Sequence, residues 1–166
     1  MTIRPATPSD RLATAAVFAD AVRTAGPSAY TPAQVDAWAA GARDPAAFAE
    51  RMASAQVCVA GDAGAVAGFV SLDPDGRVGM LYVRGDRQRR GVGDRLLAAA
   101  LAAAAEAGHE RTYAEASPFS LPVFRRAGFR VTGTDVVAVR GARFESHLVE
   151  RWAASDPPST PSRPPG

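Results

Sequence analysis

Residues 84 to 94 read Arg-Gly-Asp-Arg-Gln-Arg-Arg-Gly-Val-Gly-Asp. An apolar run that suits a strand, Val78 to Val83, precedes them, and an Ala/Leu-rich run that suits a helix follows. A glycine-bearing loop that opens a helix leaves backbone N–H groups unpaired, with the positive end of the helix dipole behind them. That combination is a site for an anion, most often phosphate. Gly91 and Gly93 let a ligand approach the backbone with no Cβ in the way. Arg87, Arg89 and Arg90 add positive charge, Gln88 adds a neutral donor and acceptor, and Val92 and Asp94 complete the helix entry.

The spacing separates the known kinds of phosphate loop. A Walker loop needs GxxxxGK[ST], and this chain contains no lysine. A dinucleotide fingerprint needs GxGxxG on the first strand–helix turn. Here Leu96 occupies the place of the third glycine, and the motif lies in mid-chain. What remains is Q-x-x-G-x-G, from Gln88 to Gly93, between strand and helix.

With Leu81-Tyr82-Val83 ending the strand and Arg95-Leu96-Leu97 opening the helix, this segment resembles the pyrophosphate motif of the GCN5-related N-acetyltransferases, the GNAT family. A second segment, Glu115 to Phe129, is similar to the other recurring stretch of that family. There a strand ends in Asn or Ser, here Ser117. A helix then carries a tyrosine four residues before Gly-Phe. Aligned on Gly128-Phe129, the tyrosine position is Phe124. Phenylalanine keeps the ring and loses the hydroxyl that commonly protonates the departing thiolate. The departure implies a reaction in which that proton comes from water or is not needed.

The resemblance covers roughly residues 1 to 150, is of the bacterial small-molecule type, and implies acetyl-CoA as co-substrate and no metal. It sets pantetheine against the strand end Met80 to Val83, paired to backbone groups of Leu81 and Val83. The Leu81 N–H is then the donor for the developing oxyanion, a role that needs a fixed backbone N–H. Tyr82 alternates to the other face, as acceptor-cleft wall or as packing. Glu115 ends a strand whose C-terminal edge is where such sheets gather ligand groups, so it is the candidate general base beside the reading of a plain surface carboxylate. Tyr30 and Trp38 flank the variable loop from Gly26 to Thr31, where the acceptor enters; each also reads as core. Asp73 and Asp75 read as turn formers, and His109 and His147 as bystanders. The His, Cys, Asp and Glu residues show no metal-ligand spacing.

These residues require a scaffold. Thr2 to Arg4 suits a strand, and Ser9 or Asp10 caps a helix to about Thr24. Thr31-Pro32 and Asp44-Pro45 each read as N-cap plus proline in the first turn, opening helices through Ala40 and Ala53. Strands follow at Gln56 to Ala60, Ala65 to Leu72 and Arg77 to Val83, joined by Gly61-Asp62-Ala63-Gly64 and Asp73-Pro74-Asp75-Gly76. A helix from Gly91 to Ala107 stops at Gly108. Arg111 to Glu115 is a strand, parallel to Arg77 to Val83 across the crossover helix. Pro118 to Ala127 suits a helix, which Pro122 shortens or bends. Phe129 to Val131, Asp135 to Val139 and Arg143 to Val149 are the last strands. The fold class is α/β: a mixed, mostly antiparallel central sheet with helices on both faces. One domain fills residues 1 to 154, followed by a disordered Pro-rich tail from 155 to 166.

Composition narrows the classes. The net charge of +2, with arginines dispersed along the chain, argues against nucleic acid as a partner. The N-terminus has no apolar signal region, and no run reaches the ~18 apolar residues of a membrane helix. The expectation is a cytoplasmic enzyme with no membrane partner; a homodimer stays open. Cys58, the single cysteine, lies in the apolar run Val57 to Ala60 and reads as a small core residue. The activity implied is transfer of acetyl to an amine, on a small molecule or an exposed protein amine. The rival is an acyl-CoA-binding sensor of the same fold without turnover.

Overall fold

The computed structural model describes residues 1–62 and 64–153. The Pro-rich segment 155–166, expected to be disordered, lies outside the described residues. In chain order the elements are β1 (Thr2–Pro5), α1 (Arg11–Ala25), α2 (Pro32–Ala39), α3 (Pro45–Glu50), β2 (Gln56–Asp62), β3 (Ala65–Leu72), β4 (Val78–Val83), α4 (Val92–Glu106), β5 (Arg111–Ala116), α5 (Leu121–Arg126), β6 (Arg130–Val139) and β7 (Ala142–Trp152).

The helix starts follow their caps. Thr31 accepts the Gln34 N–H at 3.2 Å, and the Gln34 side chain accepts the Thr31 N–H at 2.9 Å, a reciprocal capping box with Pro32 in the first turn. Asp44 accepts the N–H groups of Ala46 and Ala47 at 2.9 and 3.1 Å and opens α3, which ends at Glu50, short of Ala53. α5 begins at Leu121, not Pro118, so Pro122 falls in the first turn, where its missing N–H breaks no hydrogen bond. The reciprocal hydrogen bonds of Ser117 and Ser120, backbone N–H to side-chain oxygen at 3.0 and 3.2 Å, hold the segment ahead of it. Phe129–Val131 and Asp135–Val139 merge into one strand, β6, which absorbs a register shift between Val131 and Gly133.

The strands form two antiparallel ladders, β1-β2-β3-β4 and β5-β7-β6. The expected parallel neighbours, β4 and β5, meet only where Arg77 bridges Tyr113. The Tyr113 N–H donates to the Gly76 carbonyl at 3.3 Å, and the Tyr113 hydroxyl donates to Asp75 in the same turn. Gly76 has φ +90°, and a Cβ there would lie 2.7 Å from the Arg111 carbonyl oxygen, so only glycine permits this approach. Past the bridge β4 and β5 are not paired, each hydrogen-bonding only within its own ladder.

Apolar side chains cover both faces. Leu96, Leu97, Ala100 and Ala104 of α4 pack on one face with Val70, Ala114, Ala116 and Val149. Phe18 and Val22 of α1, Val35 of α2 and Phe48 of α3 pack on the other with Val59 and Phe69. Alternation along β4 sends Leu81 and Val83 into the first cluster and Met80 and Tyr82 into the second.

Candidate active site

The edge of β4 that β5 leaves unpaired runs to the end of β4. There the Arg84 N–H donates to the Ala67 carbonyl at 2.8 Å, which fixes the alternation of the β3–β4 ladder. In an antiparallel ladder, residues at odd steps from such a pair turn their backbone groups away from the neighbour. Leu81 and Val83 therefore direct their N–H and C=O groups away from β3, into the gap. One of these groups is occupied: the Gln88 amide donates to the Val83 carbonyl at 3.0 Å and ties the loop to the strand end.

A cleft of about 760 Å³ runs along this gap and past the start of α4. Leu81, Tyr82, Val83, Gln88, Arg89, Gly91, Val92, Gly93, Asp94 and Ser117, all expected to contact the cofactor, line it. Arg90, expected with them, is exposed and forms no part of its wall, whereas Arg87 does. The loop bends through two left-handed residues, Arg89 at φ 57° and Gly91 at φ 74°. The latter sits at the N-cap of α4, ahead of the free N–H groups of Val92, Gly93 and Asp94. Gly93 has no steric need to be glycine within the fold: a Cβ would rest 3.6 Å from a Val123 methyl, an ordinary contact. Asp94 does not face the loop as a bare charge, since Arg126 of α5 pairs with both its oxygens at 2.9 and 3.1 Å. Gly85 is fixed by fold: its N–H donates to Asp20 of α1 at 2.7 Å, and a Cβ would lie 2.4 Å from the Thr24 hydroxyl oxygen.

A second, smaller cavity of about 160 Å³ lies on the other side of the β4 end and shares Trp38, Leu81, Tyr82, Ser117 and Ser120 with the first. Tyr30 and Trp38, expected at the acceptor, line it, and so does Glu115. Glu115 is exposed, with Arg77 at 3.6 Å. Tyr30 and Trp38 meet edge-on at 5.7 Å between ring centroids. Tyr82 packs against Phe18 at 4.6 Å, and burial pushes its hydroxyl up to about 12, against a smaller opposing effect of Trp38. Phe124 is 2 % exposed, packed at 5.0 Å on Phe129. Its ring borders the smaller cavity and is not part of the wall of the large cleft.

Phe144, Ser146, Val137 and Val139 of the β6–β7 pair also line the smaller cavity, and no motif in the chain marks them as functional. Phe144 and Ser146 alternate onto one face of β7, a signal that reads as packing and nothing more. Phe119, before α5, closes the aromatic group by meeting Tyr30 at 5.7 Å. Among the described residues no His, Cys, Asp and Glu group has the arrangement of a metal site, and no helix is long and apolar enough to cross a membrane.

Residues 27–146 match the family model of the acetyltransferase (GNAT) domain, a span that holds all the lining of the smaller cavity and all of the large cleft's except its α1 wall. The uncharacterized N-acetyltransferase YafP of Escherichia coli K12 is 32% identical over 142 residues, covering 86% of this chain and 89% of its own length. A GCN5-related N-acetyltransferase from Rhodopseudomonas palustris superposes with a TM-score of 0.86 at 30% identity, over 91% of this chain and 94% of that one. At the level of fold alone, the PaiA N-acetyltransferase of Thermoplasma acidophilum, solved with coenzyme A, has a TM-score of 0.74 at 16% identity, over 92% of this chain and 99% of that one. With the match spanning the loop ahead of α4, the end of β4 and the smaller cavity alike, the chain belongs to the GNAT family and is an acetyl-CoA-dependent N-acetyltransferase.

Proposed function

We propose that acetyl-CoA lies in the large cleft, that the acceptor amine enters the smaller cavity, and that the two meet at Leu81. The observation that carries this reading is the shared wall: Leu81, Ser117 and Ser120 border both cavities, and the Leu81 backbone faces the gap between the strands. The helix N-terminus at Val92, Gly93 and Asp94, with Arg87 and Arg89 beside it, suits a pyrophosphate. Leu81 and Val83 hold the pantetheine arm by its amides, as an added strand would. Acetyl-CoA supplies an acetyl group activated as a thioester.

The Leu81 N–H holds the carbonyl oxygen as negative charge develops on it. Glu115 takes a proton from the acceptor ammonium, directly or through water, and frees the lone pair for attack. A C–N bond forms and the C–S bond breaks. The second amine proton leaves as the amide forms, and CoA departs as thiolate, protonated by solvent in place of the hydroxyl that Phe124 lacks. Tyr82 serves as a wall and not as a base, because burial keeps its hydroxyl protonated.

Free-thiol release from acetyl-CoA with a panel of primary amines tests the reading. Glu115→Gln is expected to lower kcat by about 10²-fold where deprotonation limits the rate. Acetyl-CoA affinity should stay within about twofold, since Glu115 lies outside the cofactor cleft. An unchanged kcat across the pH range would remove Glu115 from the role of base.

A further inference from the structure

The smaller cavity has a composition that the catalytic reading does not require. Five aromatic residues are among its lining: Tyr30, Trp38, Tyr82, Phe124 and Phe144. They hold one another in place, with Tyr30 to Phe144 at 5.1 Å and Trp38 to Phe144 at 5.8 Å between centroids. No arginine or histidine is among the described lining residues.

The charge that reaches the cavity is negative. In the β5–β7 ladder Glu115 pairs with Leu148, so Glu115 shares a face with Leu148, Ser146 and Phe144. Glu145 also borders the cavity, but the same alternation turns its side chain to the opposite face of β7. Glu115 is therefore the acidic side chain on the cavity's own face. A second carboxylate stands behind Gly79, a lining residue: a Cβ at Gly79 would lie 3.2 Å from an Asp73 carboxylate oxygen. Arg77 approaches both acids at 3.6 Å, one cation shared between two anions. Ser146 is 8 % exposed, lines the cavity, and its hydroxyl has no protein partner among the described residues.

We infer that the acceptor is a compact cationic amine with an apolar or aromatic body and no anionic group. The inference rests on the catalytic reading above and adds the substrate class to it. Aromatic walls favour a cation by their ring quadrupole, and they favour an apolar body by burial. Glu115 and Asp73 reinforce the preference for positive charge. A carboxylate or phosphate on the acceptor would enter a site that offers no cationic side chain and already holds negative charge, and desolvating it there is unfavourable. The Ser146 hydroxyl leaves room for one neutral polar group on the body. The volume of about 160 Å³ suits a compact body.

Two probes of one skeleton test this: 2-phenylethylamine, and L-phenylalanine, which adds a carboxylate. Each is titrated by calorimetry into the protein saturated with CoA, where no acetyl group can move. The expected result is binding of 2-phenylethylamine at least about tenfold tighter than of L-phenylalanine. Phe144→Leu and Tyr30→Leu should each weaken 2-phenylethylamine by about fivefold or more, from loss of a cation–π wall, and leave CoA affinity unchanged. Tyr30 is only partly buried, so its variant remains informative if the Phe144 variant does not fold. Equal binding of the two probes, or preference for L-phenylalanine, overturns the inference. Thiol release from acetyl-CoA then separates the two readings. Selective 2-phenylethylamine binding without release would discard the roles of Leu81 and Glu115 and keep the recognition. Release with L-phenylalanine at equal kcat/KM would keep the chemistry and discard the recognition.

Discussion

The two cavities at the end of β4 are built on opposite plans. The large cleft, where we place the cofactor, takes the groups proposed to hold it from one continuous stretch, Leu81 to Asp94, and largely from backbone, namely the open edge of a strand, a bent loop and the first turn of α4, while α1 and residues 117–126 supply further wall. Its lining side-chain charges are Arg87, Arg89 and the paired Asp94 and Arg126. The smaller cavity, where we place the acceptor amine, draws on side chains from α2, β4, β5, β6 and β7 and the loop before α2, with aromatic rings and an acid among its lining. Backbone recognition serves a constant ligand, because it survives changes of side chain. Side-chain recognition serves a variable one, because each wall can change without disturbing the others. One strand end separates the two, so a positive loop and a negative cavity are kept a few residues apart.

Gly93→Val is the strongest way to break that contrast. If the cofactor cleft works through backbone N–H groups, a branched side chain over them should weaken CoA by about tenfold or more, roughly 1.4 kcal/mol. The fold should survive, as a Cβ at this position makes only an ordinary contact with Val123. Calorimetry on the folded variant decides it; unchanged affinity would mean the ligand does not pass Gly93. Gln88→Ala comes next. Losing its hydrogen bond to the Val83 carbonyl frees the loop from the strand, and a typical net value of about 1 kcal/mol corresponds to about fivefold weaker CoA. Amine binding to the CoA complex should not change, because Gln88 does not line the acceptor cavity.

Arg89→Ala sharpens the electrostatic side. Arg89 is exposed, so its effect should be about threefold at low salt and shrink towards none as ionic strength rises. An equal effect at all salt concentrations would indicate a desolvated contact instead. The smallest expected effect is that of Tyr82→Phe on pH dependence. With its pKa pushed up to about 12 by burial, the hydroxyl is protonated throughout the neutral and mildly alkaline range. Removing it should leave the shape of the pH–rate profile as it is, whatever it does to amine affinity. Loss of an ionisation from the profile would make Tyr82 the base and return Glu115 to a structural part.

The contrast also explains what could be read in the chain. Gln88 to Gly93 announced itself because a phosphate loop is local: glycines, a strand before and a helix after suffice. The caps at Thr31 and Asp44 and the stop at Gly108 were legible for the same reason, since each depends on neighbours a few residues away. α5 was placed three residues too early because proline tolerance depends on which turn it occupies, and that was set by the Ser117–Ser120 exchange. Phe144 and Ser146 gave no signal, as alternation shows only that they share a face, not what faces them.

By itself the sequence determined the family, the phosphate loop and the strand that feeds it, because these follow from short-range geometry and unpaired helix-start amides. Only the tertiary structure decided how far β4 and β5 stay together. That depended on Gly76 admitting β5 at one bridge and on each strand then pairing only within its own ladder. The gap that results exposes the Leu81 backbone, and the faces turned towards it bring Tyr30, Trp38, Tyr82, Glu115 and Phe144 around one cavity. Those residues lie up to 114 positions apart in the chain, from Tyr30 to Phe144, so no local pattern encodes their meeting; packing of the two ladders and α2 does.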